Sequence, residues 1–289
     1  MIGRLRPSSA SYNRVWFITG SSAGLGRALA TAVLARGERA AVTARMPDRV
    51  RDVIEHYPAQ ALVLELDVTR REQIHEAVDL AVERFGRIDV LVNNAGYGQL
   101  GAVDELDDSQ IRKQLETNFF GLVDVTRAIL PVMRRAGRGH IINVSSVGGF
   151  TGQARLGAYN ASKFAVEGFS EALAAELAPD GIKVTIVEPG RFKTDWARRL
   201  PAMSPTDIAN AAPGNGARRD RTTQPGDPAI AAYAIIAAVD AKAPPLRLVL
   251  GADSLAAIQT KLDAVAAEIS AWEPVSLSPS MQESLEAEA

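Results

Sequence analysis

From Val15 to about Gly251, short β-branched and apolar runs alternate with longer stretches in which apolar positions recur every three or four residues. That alternation is how a parallel sheet with crossover helices reads. The predicted strands are Val15 to Thr19, Ala40 to Ala44, Ala61 to Leu66, Val90 to Val92, His140 to Val144, Val184 to Val187 and Leu246 to Leu250. Leu25, Leu29, Val33 and Leu34 keep helical spacing before Gly37, and Ile74, Val78, Ala81 and Phe85 do so before Gly86. One helix is expected between successive strands, except in the last pair. There the stretch from 191 to 228 breaks the pattern with five prolines and several glycines, and a connection that long predicts a substrate lid. Leu255, Ile258, Leu262, Val265, Ile269 and Trp272 then step by three and four along an extra amphipathic helix over 252–272. Residues 273–289 carry little apolar content and are expected to form a mobile tail.

Composition narrows the function classes. Hydrophobic residues at 47% and charged residues at 23% suit a folded protein with a substantial core. Lys plus Arg number 32 against 34 Asp plus Glu, so no global charge draws the chain to nucleic acid or to an anionic membrane. Zero cysteines exclude disulfides, thiolate metal sites and cysteine nucleophiles. His56, His75 and His140 lie in different segments, so no metal is expected. Residues 1–13 form a polar extension with no apolar signal region, and a cytoplasmic location is the expectation. With no internal linker before Thr194, the 289 residues read as one doubly wound α/β domain over 14–272.

Thr19-Gly20-Ser-Ser-Ala-Gly24-Leu-Gly26 follows the first strand and opens the first helix, where backbone N–H groups and the helix dipole can hold a pyrophosphate. The spacing is Gly-x-x-x-Gly-x-Gly, and no Gly-Lys-Ser/Thr marks a P-loop. Asn93-Asn94-Ala95-Gly96 ends the fourth strand and Ser145-Ser146 the fifth. Tyr159-Asn-Ala-Ser-Lys163 lies on the next helix, and Pro189-Gly190 ends the sixth strand. All fall at the carboxyl edge of the sheet or on an adjoining helix, where open α/β sheets bind ligands. In this order the motifs resemble the classical short-chain dehydrogenase/reductase (SDR) family, a resemblance that spans roughly Val15 to Gly251.

Tyr159 and Lys163, four apart, share a helix face, and an ammonium there favours the tyrosine phenolate. The resemblance implies a Rossmann-type fold in which Tyr159 exchanges a proton with the substrate oxygen, Lys163 also binds the nicotinamide ribose, Ser146 holds the substrate oxygen, and Asn118 supports a proton relay behind the lysine. It also implies cofactor contacts from Gly20, Ser22, Gly24, Leu25, Gly26, Asn94, Ala95, Gly96, Pro189, Gly190 and Thr194, with Asp67 and Val68 beside the adenine. Asn93, Asn94 and Gly96 also read as scaffold, and Asp67 as a cap for a helix beginning near Thr69. Ala44 stands where an NAD enzyme carries a carboxylate, and Arg45 follows it, so NADP(H) is the expected cofactor.

The implied activity is hydride transfer between NADP(H) and a secondary alcohol or ketone. A nucleotide-dependent sensor without catalysis is the alternative, and it has no need of the set Asn118, Ser146, Tyr159 and Lys163. A sugar epimerase or dehydratase is disfavoured by the glycine spacing. A homo-oligomer is expected through the helical stretches 107–135 and 157–178.

Overall fold

The computed structural model describes residues 13–193 and 226–286. Thr194 and most of the expected lid therefore lie outside the described residues, as do residues 1–12. Seven parallel strands form one sheet: β1 (Val15–Ile18), β2 (Arg39–Ala44), β3 (Ala61–Glu65), β4 (Val90–Asn93), β5 (Gly139–Val144), β6 (Ile182–Pro189) and β7 (Arg247–Leu250). Their order is β3-β2-β1-β4-β5-β6-β7. β1 pairs in parallel with both β2 and β4. The chain thus runs outward on one side of β1 and then on the other, which opens a crevice at the carboxyl ends of β1 and β4.

The helices are α1 (Gly24–Ala35), α2 (Arg51–Glu55), α3 (Arg71–Phe85), α4 (Asp108–Leu115), α5 (Gly121–Ala136), α6 (Gly157–Leu177), α7 (Pro228–Asp240) and α8 (Ala252–Glu286). They cover both faces of the sheet, and the strand pleat divides the core between them. Trp16 and Ile18 of β1 pack with Leu29 and Val33 of α1 and Ile235 of α7. Val15 and Phe17 point the other way, to Ile74 and Val78 of α3, Ile129 of α5 and Leu173 of α6. Each such buried side chain contributes about 1.5–3 kcal/mol. α3 ends at Gly86 with φ +76°, a left-handed residue of the kind that closes helices.

Two elements differ from the sequence reading. α7 fills the β6–β7 connection, where no helix was expected. Its sequence, Pro-Ala-Ile-Ala-Ala-Tyr-Ala-Ile-Ile-Ala-Ala-Val-Asp, has almost no polar position to set an apolar face against, so no period shows. It begins at Asp227, whose Oδ1 accepts the Ala229 N–H at 2.8 Å. The last helix does not stop at Trp272 but continues to Glu286, through most of the stretch read as a tail.

Candidate active site

The glycine turn between β1 and α1 is locked to the end of β4. Thr19 Oγ1 accepts the backbone N–H of Asn94 at 2.9 Å and of Ala95 at 3.0 Å. Asn94 Nδ2 returns bonds to the carbonyls of Thr19 and Gly20, at 2.9 and 3.0 Å. Gly20 has φ +67°, and a Cβ there would sit 2.8 Å from the Ala95 Cα. At Gly26 a Cβ would strike the Asn94 side-chain amide. α1 begins at Ala23 with no side-chain cap, so its first-turn N–H groups are left for an anion. Ser22 and Leu25 are half-buried in the same turn. The uncapped helix start fits a phosphate-bearing cofactor, and Gly20 and Gly26 let the turn close on the end of β4.

Across the crevice, α6 presents Tyr159 and Lys163, both buried. Ser146 follows β5 in extended conformation, and its Oγ accepts the Gly148 N–H at 3.0 Å. It is also hydrogen-bonded to Tyr159, and this bond lowers the phenol's affinity for its proton. Burial outweighs it and pushes Tyr159 up to about 12. Ser146 is thus a counterweight to burial at Tyr159. The Lys163 ammonium lies 6.0 Å from the Tyr159 ring centroid and donates to the Val144 carbonyl at 2.7 Å. Burial holds it down to about 8, while the Glu167 charge raises it.

Asn118 sits in a π-helical turn, Glu116–Phe120, between α4 and α5. Such a turn carries an extra residue per hydrogen-bonded loop and so re-aims a side chain within a continuous helix. Asn118 Oδ1 accepts the Tyr97 N–H at 3.1 Å, and its Nδ2 donates to the Tyr97 carbonyl and to Ser162 Oγ, each at 3.0 Å. Ser162 in turn donates to the Tyr159 carbonyl at 2.7 Å. A Cβ on Gly96 would lie 3.1 Å from Asn118 Oδ1 and 3.8 Å from Lys163 Nζ, so Gly96 marks where the three segments meet.

The outer residues surround this centre. Arg45 is exposed beyond β2, and no hydrogen bond or ion pair holds its guanidinium among the described residues. Its charge is felt at Tyr97, whose phenol burial raises and Arg45 draws back. Asp67 Oδ1 accepts the Thr69 N–H at 3.0 Å and its hydroxyl at 2.8 Å. It closes a turn ahead of α3 and does not cap it: the helix starts at Arg71, with Arg70 at the cap position. Val68 is buried against Gly121, where a Cβ would lie 2.7 Å from the valine. The Gly190 N–H donates to the Leu250 carbonyl at 2.8 Å, fixing the Pro189–Gly190 turn to β7.

Sequence reasoning missed the supports behind these residues. Asp253 Oδ2 accepts the Arg191 N–H at 2.8 Å and Ser254 Oγ donates to the Glu188 carbonyl at 3.0 Å, so the start of α8 braces the Pro189–Gly190 turn. Arg247 Nη1 lies 2.6 Å from Glu188 Oε1, pairs with Glu167 and Glu171, and stacks over Phe150 at 5.0 Å. Burial pushes Glu167 up to about 7; the Ser145 hydroxyl and Arg247 draw it down, and Glu188 adds to the rise. These partners are up to 80 positions apart in the chain, so no local motif announces them.

The family model described as short chain dehydrogenase matches residues 14–204. The chain belongs to the short-chain dehydrogenase family. It is 38% identical over 269 residues to Oxidoreductase BOA17 of Botryotinia fuckeliana, covering 91% of this chain and 98% of that one. It is 35% identical over 207 residues to a 3-alpha-(or 20-beta)-hydroxysteroid dehydrogenase of Mycobacterium tuberculosis, covering 71% and 77%. The crystal structure of a short-chain dehydrogenase from Streptomyces avermitilis superposes with a TM-score of 0.83 at 42% identity, over 92% of this chain and 98% of that chain. This short-chain dehydrogenase is therefore an NAD(P)-dependent oxidoreductase with a Rossmann-type fold. Among the described residues, no helix is long and apolar enough to cross a membrane, and no cluster of three acidic or histidine side chains could hold a metal ion.

Proposed function

We propose that this short-chain dehydrogenase transfers hydride between NADP(H) and a secondary alcohol or ketone, with Tyr159 exchanging the proton at the substrate oxygen. The observation that carries the reading is the hydrogen-bonded Ser146–Tyr159 pair beside buried Lys163, backed by the Asn118–Ser162 chain. When bound, the nicotinamide supplies or accepts the hydride. A phenol pushed up to about 12 is protonated at neutral pH, which suits an acid in carbonyl reduction. As the carbonyl carbon gains hydride, Tyr159 gives its proton to the oxygen, and the product alcohol leaves a phenolate that the Lys163 ammonium favours. Ser146 holds the oxygen during transfer. Asn118 holds the Tyr97 backbone and Ser162, which ties the stretch after β4 to α6, the helix of Tyr159 and Lys163.

For the cofactor, the Gly20–Gly26 turn with Ser22, Gly24 and Leu25 would take the pyrophosphate and Arg45 the 2′-phosphate. Asp67 and Val68 would lie by the adenine, and Asn94, Ala95, Gly96, Pro189, Gly190 and Thr194 toward the nicotinamide. Exposed Phe120, at the end of the π-turn that leads into α5, and Phe164 of α6 support association of copies through this face. The test is NADPH oxidation against a panel of ketones, aldehydes and steroids. Turnover of a carbonyl compound is expected; tight NADPH binding without turnover of any compound would favour the sensor.

A further inference from the structure

Helix α8 carries an apolar row that the described chain covers at Ile258 and leaves largely open beyond it. Leu255, Leu262, Ile269 and Trp272 are 60%, 47%, 65% and 61% exposed, while Ile258 and Ser254 are buried and anchor the first turns. From Ala266 to Ser278 every residue is exposed. A contiguous apolar row on a helix calls for a cover. The spacing tells which kind: Leu255, Ile258, Leu262, Val265, Ile269 and Trp272 alternate steps of three and four, the 3.5-residue period of a two-stranded coiled coil. Pro274 ends the row.

Charge selects the occupant and its direction. Over 253–278 the helix holds Asp253, Asp263, Glu268 and Glu273 against Lys261 alone, a poor match for an anionic lipid surface. With Leu255 as the first seam position, Lys261 and Glu268 line one flank of the seam, and Gln259, Ala266 and Glu273 the other. A parallel pair of such helices would set Glu268 beside Glu273 of the other copy. An antiparallel pair can instead place Leu255 opposite Trp272, Ile258 beside Ile269, and Leu262 opposite Val265. That register sets Lys261 against Glu268 twice, once on each side of the two-fold axis. A shift of one heptad would set Glu268 against itself. Ile258, already covered by its own chain, keeps the second helix on the Leu255–Leu262 flank.

We propose that α8 is a docking surface for α8 of a second copy of this chain, paired antiparallel with Lys261 facing Glu268. The contact is separate from the α5–α6 face and does not depend on the catalytic reading.

The absence of cysteine makes the test specific. In this register two copies of residue 265 lie within about 5 Å of each other along the axis, and two copies of residue 276 lie about 38 Å apart. The full-length Val265→Cys variant should therefore form a covalent dimer with a short bismaleimide, and Ser276→Cys, at the next seam position, should not. Lys261→Glu should raise the protein concentration needed for half-maximal cross-linking of Val265→Cys by about 2- to 30-fold, and adding Glu268→Lys should restore it. Cross-linking at both cysteines would indicate a parallel pair, and at neither a different cover; either overturns the proposal. So would a charge swap that fails to rescue, or Ile269→Asp abolishing binding to anionic lipid vesicles while leaving the cross-link unchanged.

Discussion

Lys163 Nζ donates to the Val144 carbonyl at 2.7 Å, a bond that ties α6 to the end of β5 one residue before the Ser145–Ser146 pair. The lysine therefore bridges the two segments that carry the proposed acid, Tyr159, and the proposed oxygen-binding serine, Ser146. Burial holds its ammonium down to about 8. The profile of kcat/KM for NADPH against pH should consequently bend near 8, since that ratio reports the free enzyme. Lys163→Ala should remove the bend and damage both turnover and NADPH affinity. A variant that binds NADPH as the wild type does would leave the lysine only an electrostatic part in the chemistry.

Tyr159→Phe removes one oxygen and little else from a buried site. It should leave NADPH binding intact and lower kcat by at least about 10²-fold, the contribution of one general acid. Titration of NADPH fluorescence and steady-state turnover of the same preparation separate the two effects. Near-normal turnover would remove Tyr159 from the mechanism.

The glycine turn tolerates no side chain at Gly26, where a Cβ would meet the Asn94 amide. Gly26→Ala should destabilise the fold by about 1–3 kcal/mol through overpacking, seen as a lower urea midpoint at unchanged slope. Measured against Asn94→Ala alone, Gly26→Ala should cost less than it does in the wild type, because one of the two colliding groups is gone and only the Gly20 carbonyl remains. Full additivity of the two substitutions would show that they do not meet.

The strands and the glycine turn were legible in the sequence because their causes are local. Val15–Ile18 is apolar on both faces because both faces of β1 are covered, and Gly20 and Gly26 stand where neighbouring atoms leave no room for a Cβ. The residues missed depend on distant partners. Nothing near Arg247 in the chain signals that Glu188 and Glu167 will close around it. Asp253 reads as an ordinary acidic residue at a helix start, where any helix would welcome one, and only the fold brings it to Arg191. Asn118 was placed by its motif, yet the π-turn that aims it has no sequence period to betray it.

Two buried groups should give stability opposite slopes over nearly the same pH range. His140, within 2.9 Å of Thr185 Oγ1, is held down to about 4 by burial and by the charges of Lys183 and Arg14. Its folded value lies below the ordinary 6.5, so its contribution is complete above 6.5 and is lost as pH falls toward 4. Glu167 is pushed up to about 7 from the usual 4.5, so the folded state keeps a proton that the unfolded state releases. That contribution is present below 4.5 and is lost as pH rises through 7. The two largely offset each other between pH 4.5 and 6.5. Relative to wild type, stability of Glu167→Gln should climb more steeply from pH 5 to 7, and that of His140→Gln should fall, each by on the order of 2 kcal/mol. Urea midpoints at the two pH values decide it, and parallel curves for all three proteins would refute the pairing.

Cofactor preference turns on the end of β2. Ala44 closes the strand, buried, and cannot repel a 2′-phosphate as a carboxylate there would. Arg45 comes next, exposed and unpaired among the described residues, while Arg27, the arginine of α1, is held by Asp52 and the Arg49 carbonyl. Of these two arginines, only Arg45 has its fork of donors uncommitted for a phosphate. A hydrogen bond to a charged group contributes about 1.5–3 kcal/mol, so Arg45→Ala should weaken NADPH by roughly 10- to 150-fold and leave NADH nearly unchanged. Replacing Ala44 with Asp should act from the other side, repelling the 2′-phosphate and favouring the ribose hydroxyls of NADH. Titration of both cofactors against wild type and the two variants tests the assignment. Equal affinity of the wild type for NADH and NADPH, or an equal loss of both in Arg45→Ala, would show that the guanidinium does not read the phosphate.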